Sequence, residues 1–240
     1  MPLDPEVVRL ESVAQVYDPS DPNEEFDYYA KRLQVEVIKP WMIGRRVLEM
    51  GCATGELTSL MAPLSKDYHV VEGSSRNVEA ARQRVPGATY FTSLWESFEP
   101  SERYSDILLV CALEHVEDPV AVTRRAREWL AEDGRLHIIV PNADSLHRLV
   151  GVEMNMLPQR TSLSESDLRV GHRRVYVLDT LLADLRESGF SSLHWQGVFL
   201  KLLSNQQMLD WDWSLIHALH RVGQRFPDRC AEIYVAAVPA

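Results

Sequence analysis

Two glycines and two carboxylates, set at strand-like ends, carry the first hint of chemistry in this chain. In Val47-Leu48-Glu49-Met50-Gly51-Cys52-Ala53-Thr54-Gly55-Glu56-Leu57-Thr58, a short apolar run meets Gly51, and Gly55 opens an amphipathic stretch. The order predicts a buried strand from Arg46 to Met50, a tight turn, and a helix whose free N–H groups favour anionic groups. This is the layout of a nucleotide-cofactor site. A dinucleotide fold would require G-x-G-x-x-G and a phosphate loop G-K-[ST], whereas the spacing here is Glu49-x-Gly51-x-x-x-Gly55. About 20 positions further on, Tyr68-His69-Val70-Val71-Glu72 reads as a second strand with an acid at its tip. An acid there is often only a solvated strand end, but a carboxylate beside such a loop can accept both ribose hydroxyls.

A third strand, Ala88 to Thr92, ends in Ser93-Leu94-Trp95-Glu96. A fourth, Tyr104 to Val110, runs into Cys111-Ala112-Leu113-Glu114-His115-Val116-Glu117-Asp118-Pro119. Asp118 and Pro119 are helix-start residues, so Leu113 to Val116 fall at the strand's carboxyl edge, where open α/β sheets bind ligands. His115 titrates near neutral pH when unperturbed and suits a general base, or equally a loop-fixing hydrogen bond.

Taken in order, these motifs resemble class I S-adenosylmethionine-dependent methyltransferases, over roughly residues 28 to 145. The resemblance implies S-adenosylmethionine as cofactor, held by Glu49, Gly51, Gly55 and Glu72, with Ser93, Leu94 and Trp95 at the adenine and Leu113 beside it. Many relatives carry an Asp at about the Ser93 position, so that role falls to Ser93, or to Glu96, and Trp95 is either a stacking partner or core. It also implies a cap helix whose Tyr and Arg close over the cofactor, here Tyr29 and Arg32. Gly171-His172-Arg173-Arg174-Val175-Tyr176 is similar to a G-H-x-R-x-Y segment of a branch acting on sugars, lipid precursors and secondary metabolites. His147, Arg173, Tyr176 and Asn142 are therefore expected at the acceptor, with His172 sharing or replacing the base role of His115. The resemblance thus predicts transfer of a methyl group to an oxygen or nitrogen of a small molecule.

The elements that must position these residues follow from periodicity. An irregular Pro-, Asp- and Ser-rich arm to Asn23 precedes a helix from Glu24 to Lys39, whose Phe26, Tyr29, Leu33 and Val37 recur at helical spacing. After the fourth strand, a helix from Pro119 to Ala131 ends at Asp133-Gly134 before a strand from Arg135 to Val140. Residues 144 to 177 are too long for a plain connection and read as an acceptor lid. A helix from Thr180 to Glu187, a strand from Ser192 to Leu200, a helix from Asn205 to Arg225 and a strand from Tyr234 to Val238 complete the chain. The expected fold is a seven-stranded Rossmann-like α/β sheet, mostly parallel with an antiparallel last strand, helices on both faces, an N-terminal helical cap and lid insertions. One domain over 1–240 is expected: arm and cap 1–40, cofactor core 41–141, lid 142–177 and sheet completion 178–240.

Composition narrows the partners. The formal net charge of -10 argues against a nucleic-acid backbone as substrate. No apolar run approaches the ~18 residues of a membrane span. Three scattered cysteines and a start without a basic, apolar signal fit a reducing cytoplasm. The Met and Trp stripe of Met208, Trp211, Leu215, Leu219 and Val222 reads as core or a homodimer contact. No metal is expected, because Asn142 and Asp144 alone make a poor site and His217 and His220 lack H-E-x-x-H spacing. Two rivals stand beside this reading: a nucleotide-cofactor oxidoreductase, against which the missing third glycine counts, and a non-catalytic partner protein of the same fold.

Overall fold

The computed structural model of the chain describes residues 4–19 and 26–240. Seven strands form one sheet in the order β3-β2-β1-β4-β5-β7-β6. They are β1 (Arg46–Met50), β2 (Asp67–Glu72), β3 (Thr89–Thr92), β4 (Tyr104–Val110), β5 (Leu130–Pro141), β6 (Phe190–Val198) and β7 (Glu232–Pro239). The first five pair in parallel, and β7 runs antiparallel between β5 and β6. Strand order reverses between β1 and β4, so the loops after those strands flank a crevice at the carboxyl edge.

Apolar side chains on both faces explain why the central strands read as unbroken hydrophobic runs. Leu48, Ile107, Leu109, Ile138 and Val235 belong to one buried layer, and Val47, Val70, Leu108, Ile139 and Tyr234 to the other. Helices α2 (Asp27–Ile38), α3 (Glu56–Met61), α4 (Ser75–Arg84), α5 (Pro119–Trp129) and α8 (Leu178–Glu187) pack around the sheet. Asp118 caps α5 by accepting from Ala121 N, and Ser74 caps α4 by accepting from Asn77 N. Each such cap contributes ~1 kcal/mol.

A buried polar brace ties the sheet together behind the site. Asp106 accepts from Ile43 N at 2.9 Å, Gly44 N at 2.8 Å and Ser105 Oγ at 2.8 Å, and lies 3.0 Å from His137 Nε2. His137 Nδ1 in turn lies 2.9 Å from the Tyr234 hydroxyl. Residues of β4, β5 and β7 thus satisfy one another where no water reaches, which sets the lateral register of these strands.

Several boundaries differ from expectation. The arm contains helix α1 (Pro5–Val13), started by Asp4 accepting from Glu6 N and by Pro5 in the first turn; the rest of the arm to Asn23, and the expected helix start at Glu24, lie partly outside the described residues. Helix α5 stops at Trp129, and Asp133-Gly134 lies within β5 at a register irregularity rather than ending a helix. The expected long C-terminal helix is two, α9 (Asn205–Met208) and α10 (Trp213–Gly223), because Asp212 caps a fresh start by accepting from Ser214 N. Residues 144–177 carry α6 (Leu146–Glu153) and α7 (Glu165–Arg169). Among the described residues no helix is long and apolar enough to cross a membrane.

Candidate active site

The glycine loop after β1 has the backbone that its sequence requires. Gly51 and Gly55 adopt φ of +85° and +83°, and a Cβ on Gly55 would lie 2.8 Å from the Ala81 Cα of α4. Only glycine fits there, so α3 can start hard against α4. Ala53 (φ +46°) and, after β4, Cys111 (φ +53°) hold left-handed backbone without being glycine. Both stand on the loops that carry the site, where such local cost is commonly kept.

Glu72 closes the loop from β2. Its Oε2 accepts from Cys52 N at 3.2 Å and its Oε1 from Ser74 N at 2.8 Å. Burial pushes its carboxyl up, against the pull of the N–H groups of Ser74, Cys52, Ala53 and Gly73. Each oxygen keeps a lone pair for a further donor, so the carboxylate fits a vicinal diol. Beside it, a Cβ on Gly73 would run into Leu10 Cδ1 and come within 3.2 Å of Leu94 Cδ2, which gives the turn an apolar wall. Leu94 was expected there, and Leu10 of α1 was not. Glu49 sits behind the loop, 1 % exposed, accepting from Thr58 Oγ1 at 2.7 Å and Tyr68 Oη at 3.0 Å through Oε2. Burial lifts its pKa to about 7, and its Oε1 has no partner among the described residues. An orphaned acceptor beside the loop suits the ammonium of a methionyl group. Diol acceptor, apolar wall and orphaned carboxylate oxygen together fit an adenosyl-methionyl cofactor.

Trp95 stands against Gly51, where a Cβ would come within 3.2 Å of its ring, and its Nε1 donates to Val71 O at 3.4 Å. Ser93 Oγ donates to Leu94 O at 2.9 Å. The Leu113 side chain is fully buried in the core, which corrects its expected place at the cofactor; only its backbone reaches the edge, where its carbonyl accepts from Arg174 Nη1 at 3.1 Å. Tyr29 stacks on Trp213 of α10 at 5.9 Å, and Tyr28 lies under the Arg32 guanidinium at 3.5 Å. Arg32 bonds Glu56 Oε1 at 3.0 Å at the start of α3, beside the glycine loop. One residue along a helix is a rotation of about 100°, so the two tyrosines lie on different sides of α2: Tyr29 packs against the cluster of Phe26, Leu33 and Val37, as its spacing predicts, and Tyr28 joins Arg32.

On the acceptor side, the loop after β4 meets the segment after α7. Arg173 N donates to Glu114 O at 2.8 Å and Arg173 Nε to His115 O at 2.9 Å. His115 and His172 therefore face each other edge to face, ring centres 4.7 Å apart. His172 Nδ1 lies 2.9 Å from Asp167 Oδ1, and Asp167 is held by Arg148 Nη1 at 3.0 Å and by Ser164 N at 2.8 Å. These partners overcome burial and hold the Asp167 carboxyl low and the His172 imidazole above its ordinary value. His115 goes the other way: burial, with the charges of His172 and Arg9, drops it to about 3 and keeps its ring neutral. Glu114, fully buried, has both carboxylate oxygens unpartnered among the described residues and is lifted by burial to about 7. On α2 itself, Lys31 is buried beside Cys111, Asp27, Glu232 and Glu114, and these neighbours outweigh desolvation and raise its pKa. Sequence reading missed Asp167 and Lys31, and it quoted Glu114 without assigning it a role. The Ser164-x-x-Asp167 capping box was the one local signal for Asp167.

Helix α1 straps across these loops. Glu11 accepts from Ser74 Oγ at 3.0 Å and Ser75 N at 2.7 Å, and Glu6 lies 3.4 Å from Arg173 Nη2. Two expected acceptor residues are structural instead. Asn142 spends its amide on Asp228 O, Cys230 O and Asp144 N, and Tyr176 is 2 % exposed in the core, where its backbone extends the edge of β5. His147, on α6, is half-buried near Lys201, and burial drops it to about 2. Arg173 is exposed at the mouth of the cluster.

Residues 15–194 match the family model described as a methyltransferase domain. A ubiquinone biosynthesis O-methyltransferase of Cereibacter sphaeroides is 28 % identical over 182 residues, covering 72 % of this chain and 68 % of the relative. The enzyme of the same name from Proteus mirabilis is 25 % identical over 169 residues, covering 65 % and 67 %. Among solved structures, the N-methyltransferase NodS of Bradyrhizobium japonicum, in complex with S-adenosyl-L-homocysteine, aligns with TM-score 0.58 and 18 % identity over 98 % of this chain and 97 % of that one. The CcbJ methyltransferase of Streptomyces caelestis aligns with TM-score 0.62 and 16 % identity over 96 % and 97 %. At such identities the solved structures establish the sheet and its order.

Proposed function

This chain belongs to the class I S-adenosylmethionine-dependent methyltransferases, and from that membership we propose that it methylates an oxygen of a small-molecule acceptor delivered to the Glu114, His115 and His172 cluster. The observation that carries the choice of oxygen is the clamp of Asp167 on His172, because a hydroxyl must lose its proton during transfer and a neutral amine need not. The relatives named as O-methyltransferases support the same choice.

The bound cofactor supplies an electrophilic methyl on its sulfonium. The chain's own part is alignment and proton handling. Glu72 and the loop from Gly51 to Gly55, with Glu49 behind it, fix the cofactor end of the crevice, and Lys31 lies toward Glu114. At the acceptor end, His172 Nδ1 is occupied by Asp167, which leaves Nε2 as the free ring nitrogen, 3.9 Å from Glu114 Oε1. Arg173, whose backbone and side chain tie the two loops, sets the distance between this ring and His115. Leu10 of α1 packs against the Gly73 turn and narrows the cofactor end of the crevice. Residues 142–177 serve as the acceptor lid, and the enzyme works in the cytoplasm, where Cys52, Cys111 and Cys230 stay unpaired.

Calorimetric titration with S-adenosylhomocysteine, followed by labelled-methyl transfer to a panel of hydroxyl and amine acceptors, tests this directly. Micromolar adenosyl binding with transfer to hydroxyl acceptors is expected, and Asp167→Asn should lower kcat ~100-fold with little change in cofactor affinity. Transfer to amines alone would overturn the oxygen assignment. Absence of adenosyl binding would favour a non-catalytic partner protein.

A further inference from the structure

Glu114, His115 and His172 each offer one ligand atom, and these atoms lie within 4.8 Å of one another. We propose that the three side chains hold one divalent cation of the zinc class, with the acceptor's oxygen completing its coordination.

The donor set is two imidazole nitrogens and one carboxylate oxygen, which suits a borderline cation and leaves a position for substrate. Support behind the donors is already built. Asp167 occupies His172 Nδ1 at 2.9 Å, the arrangement in which a carboxylate orients a ligating imidazole and leaves Nε2 for the cation. Arg148 and Ser164 hold Asp167 in turn. The loops bearing the three donors are fastened to each other by Arg173, through Glu114 O and His115 O, so their spacing is a property of the fold.

A second, independent observation is the state of Glu114. Its side chain is fully buried and both carboxylate oxygens lack a hydrogen-bond partner among the described residues. His172 Nε2, at 3.9 Å, is beyond hydrogen-bond reach. Leaving a buried carboxylate without hydrogen bonds is costly, and a coordinated cation offsets that cost. The neighbouring charges permit one: Lys31 and Arg9 approach the cluster, but Asp27, Glu232 and Asp167 face it as well.

The inference rests on the oxygen-acceptor reading above and states how that oxygen is ionised. The acceptor hydroxyl binds the cation and releases its proton to solvent. The bond from that oxygen to the methyl carbon then forms as the sulfur–methyl bond of the sulfonium breaks, leaving the neutral thioether. The clamp of Asp167 on His172 serves that same proton loss: with Nδ1 on Asp167, His172 Nε2 holds the cation on which the hydroxyl ionises. The sequence-based expectation of no metal weighed the residues directly after β4 and β5 and the pair His217 and His220, and the return of His172 onto that edge from residues 171–176 was invisible to it.

The test uses the full chain after dialysis against a chelator, titrated with Zn2+ alone by calorimetry and with Co2+ alone by visible absorption. One Zn2+ per chain is expected, weakened at least ~100-fold in Glu114→Gln and in His172→Asn and ~10- to 100-fold in Asp167→Asn, with His217→Asn unchanged. In the wild-type protein, Zn2+ should shift the ring-nitrogen NMR signals of His115 and His172 and leave that of His217 in place, a readout that needs no variant to fold. Lack of saturable binding, equal affinity in Glu114→Gln, or shifts confined to His217 would overturn the proposal. Titration of the same samples with S-adenosylhomocysteine reports the cofactor pocket separately, so intact adenosyl binding without metal binding sinks this inference alone.

Discussion

Replacing Glu72 with Gln keeps the shape of the side chain and converts one acceptor oxygen into a donor, which makes it a sharp probe of the crevice. The two oxygens now accept from Cys52 N and Ser74 N, so one of these N–H groups would face an amide NH2 and lose its partner. An unsatisfied buried donor costs ~1–3 kcal/mol of stability. For a chain of 240 residues that corresponds to a fall in Tm of ~2–12 °C, at ~2–4 °C per kcal/mol. The same substitution removes one hydrogen bond from a charged acceptor to a ribose hydroxyl, ~1.5–3 kcal/mol. At ~1.4 kcal/mol per tenfold, the Kd for S-adenosylhomocysteine should rise about 10- to 150-fold. Calorimetry at 10 °C below the variant's own Tm separates the two effects. A Kd within threefold of wild type would refute the diol-binding role of Glu72, whatever happens to Tm.

Two further outcomes follow from buried charge and from the strap. Burial lifts Glu49 and Glu232 to about 7, so in ligand-free protein these acids contribute stability at low pH that is lost as pH rises through 7. Asp106 is held below its ordinary value because its bonds to His137, Ile43 N and Gly44 N outweigh burial, so its contribution is present above ~4 and lost as pH falls further. Scanning calorimetry should therefore show Tm rising from pH 8 to ~5.5 and falling below ~4, with a flatter upper limb in Glu232→Gln; a steady rise from pH 4 to 8 would contradict the assignment. Separately, Glu11→Ala deletes the bonds that fasten α1 to Ser74 and Ser75. If those part-exposed bonds are worth ~1–2 kcal/mol together, the open population rises ~5- to 30-fold. Faster proteolysis within residues 5–13 and faster cofactor exchange in stopped flow are expected, and unchanged rates would show that the strap is not what limits access.

The amino-acid sequence by itself determined the cofactor half of this protein. Gly51, Gly55 and Glu72 are legible because their roles are local: a left-handed turn, a close helix approach and a strand tip are set by residue type and short spacing, and apolar runs on a doubly covered sheet announce the strands between them. Helix α1 was legible in principle from Asp4-Pro5, but composition masked it. The acceptor half was decided by the tertiary structure. That Asn142 is structural depends on segments 86 to 88 residues distant that claim its amide, and that Tyr176 is buried depends on its backbone joining the edge of β5, 34 residues back in the chain. The cluster of Glu114, His115 and His172, with Asp167 behind it, brings together residues more than fifty positions apart. Periodicity and motif spacing record what a segment does with its neighbours in sequence, whereas such a cluster exists only once β4 and the returning lid have packed against each other.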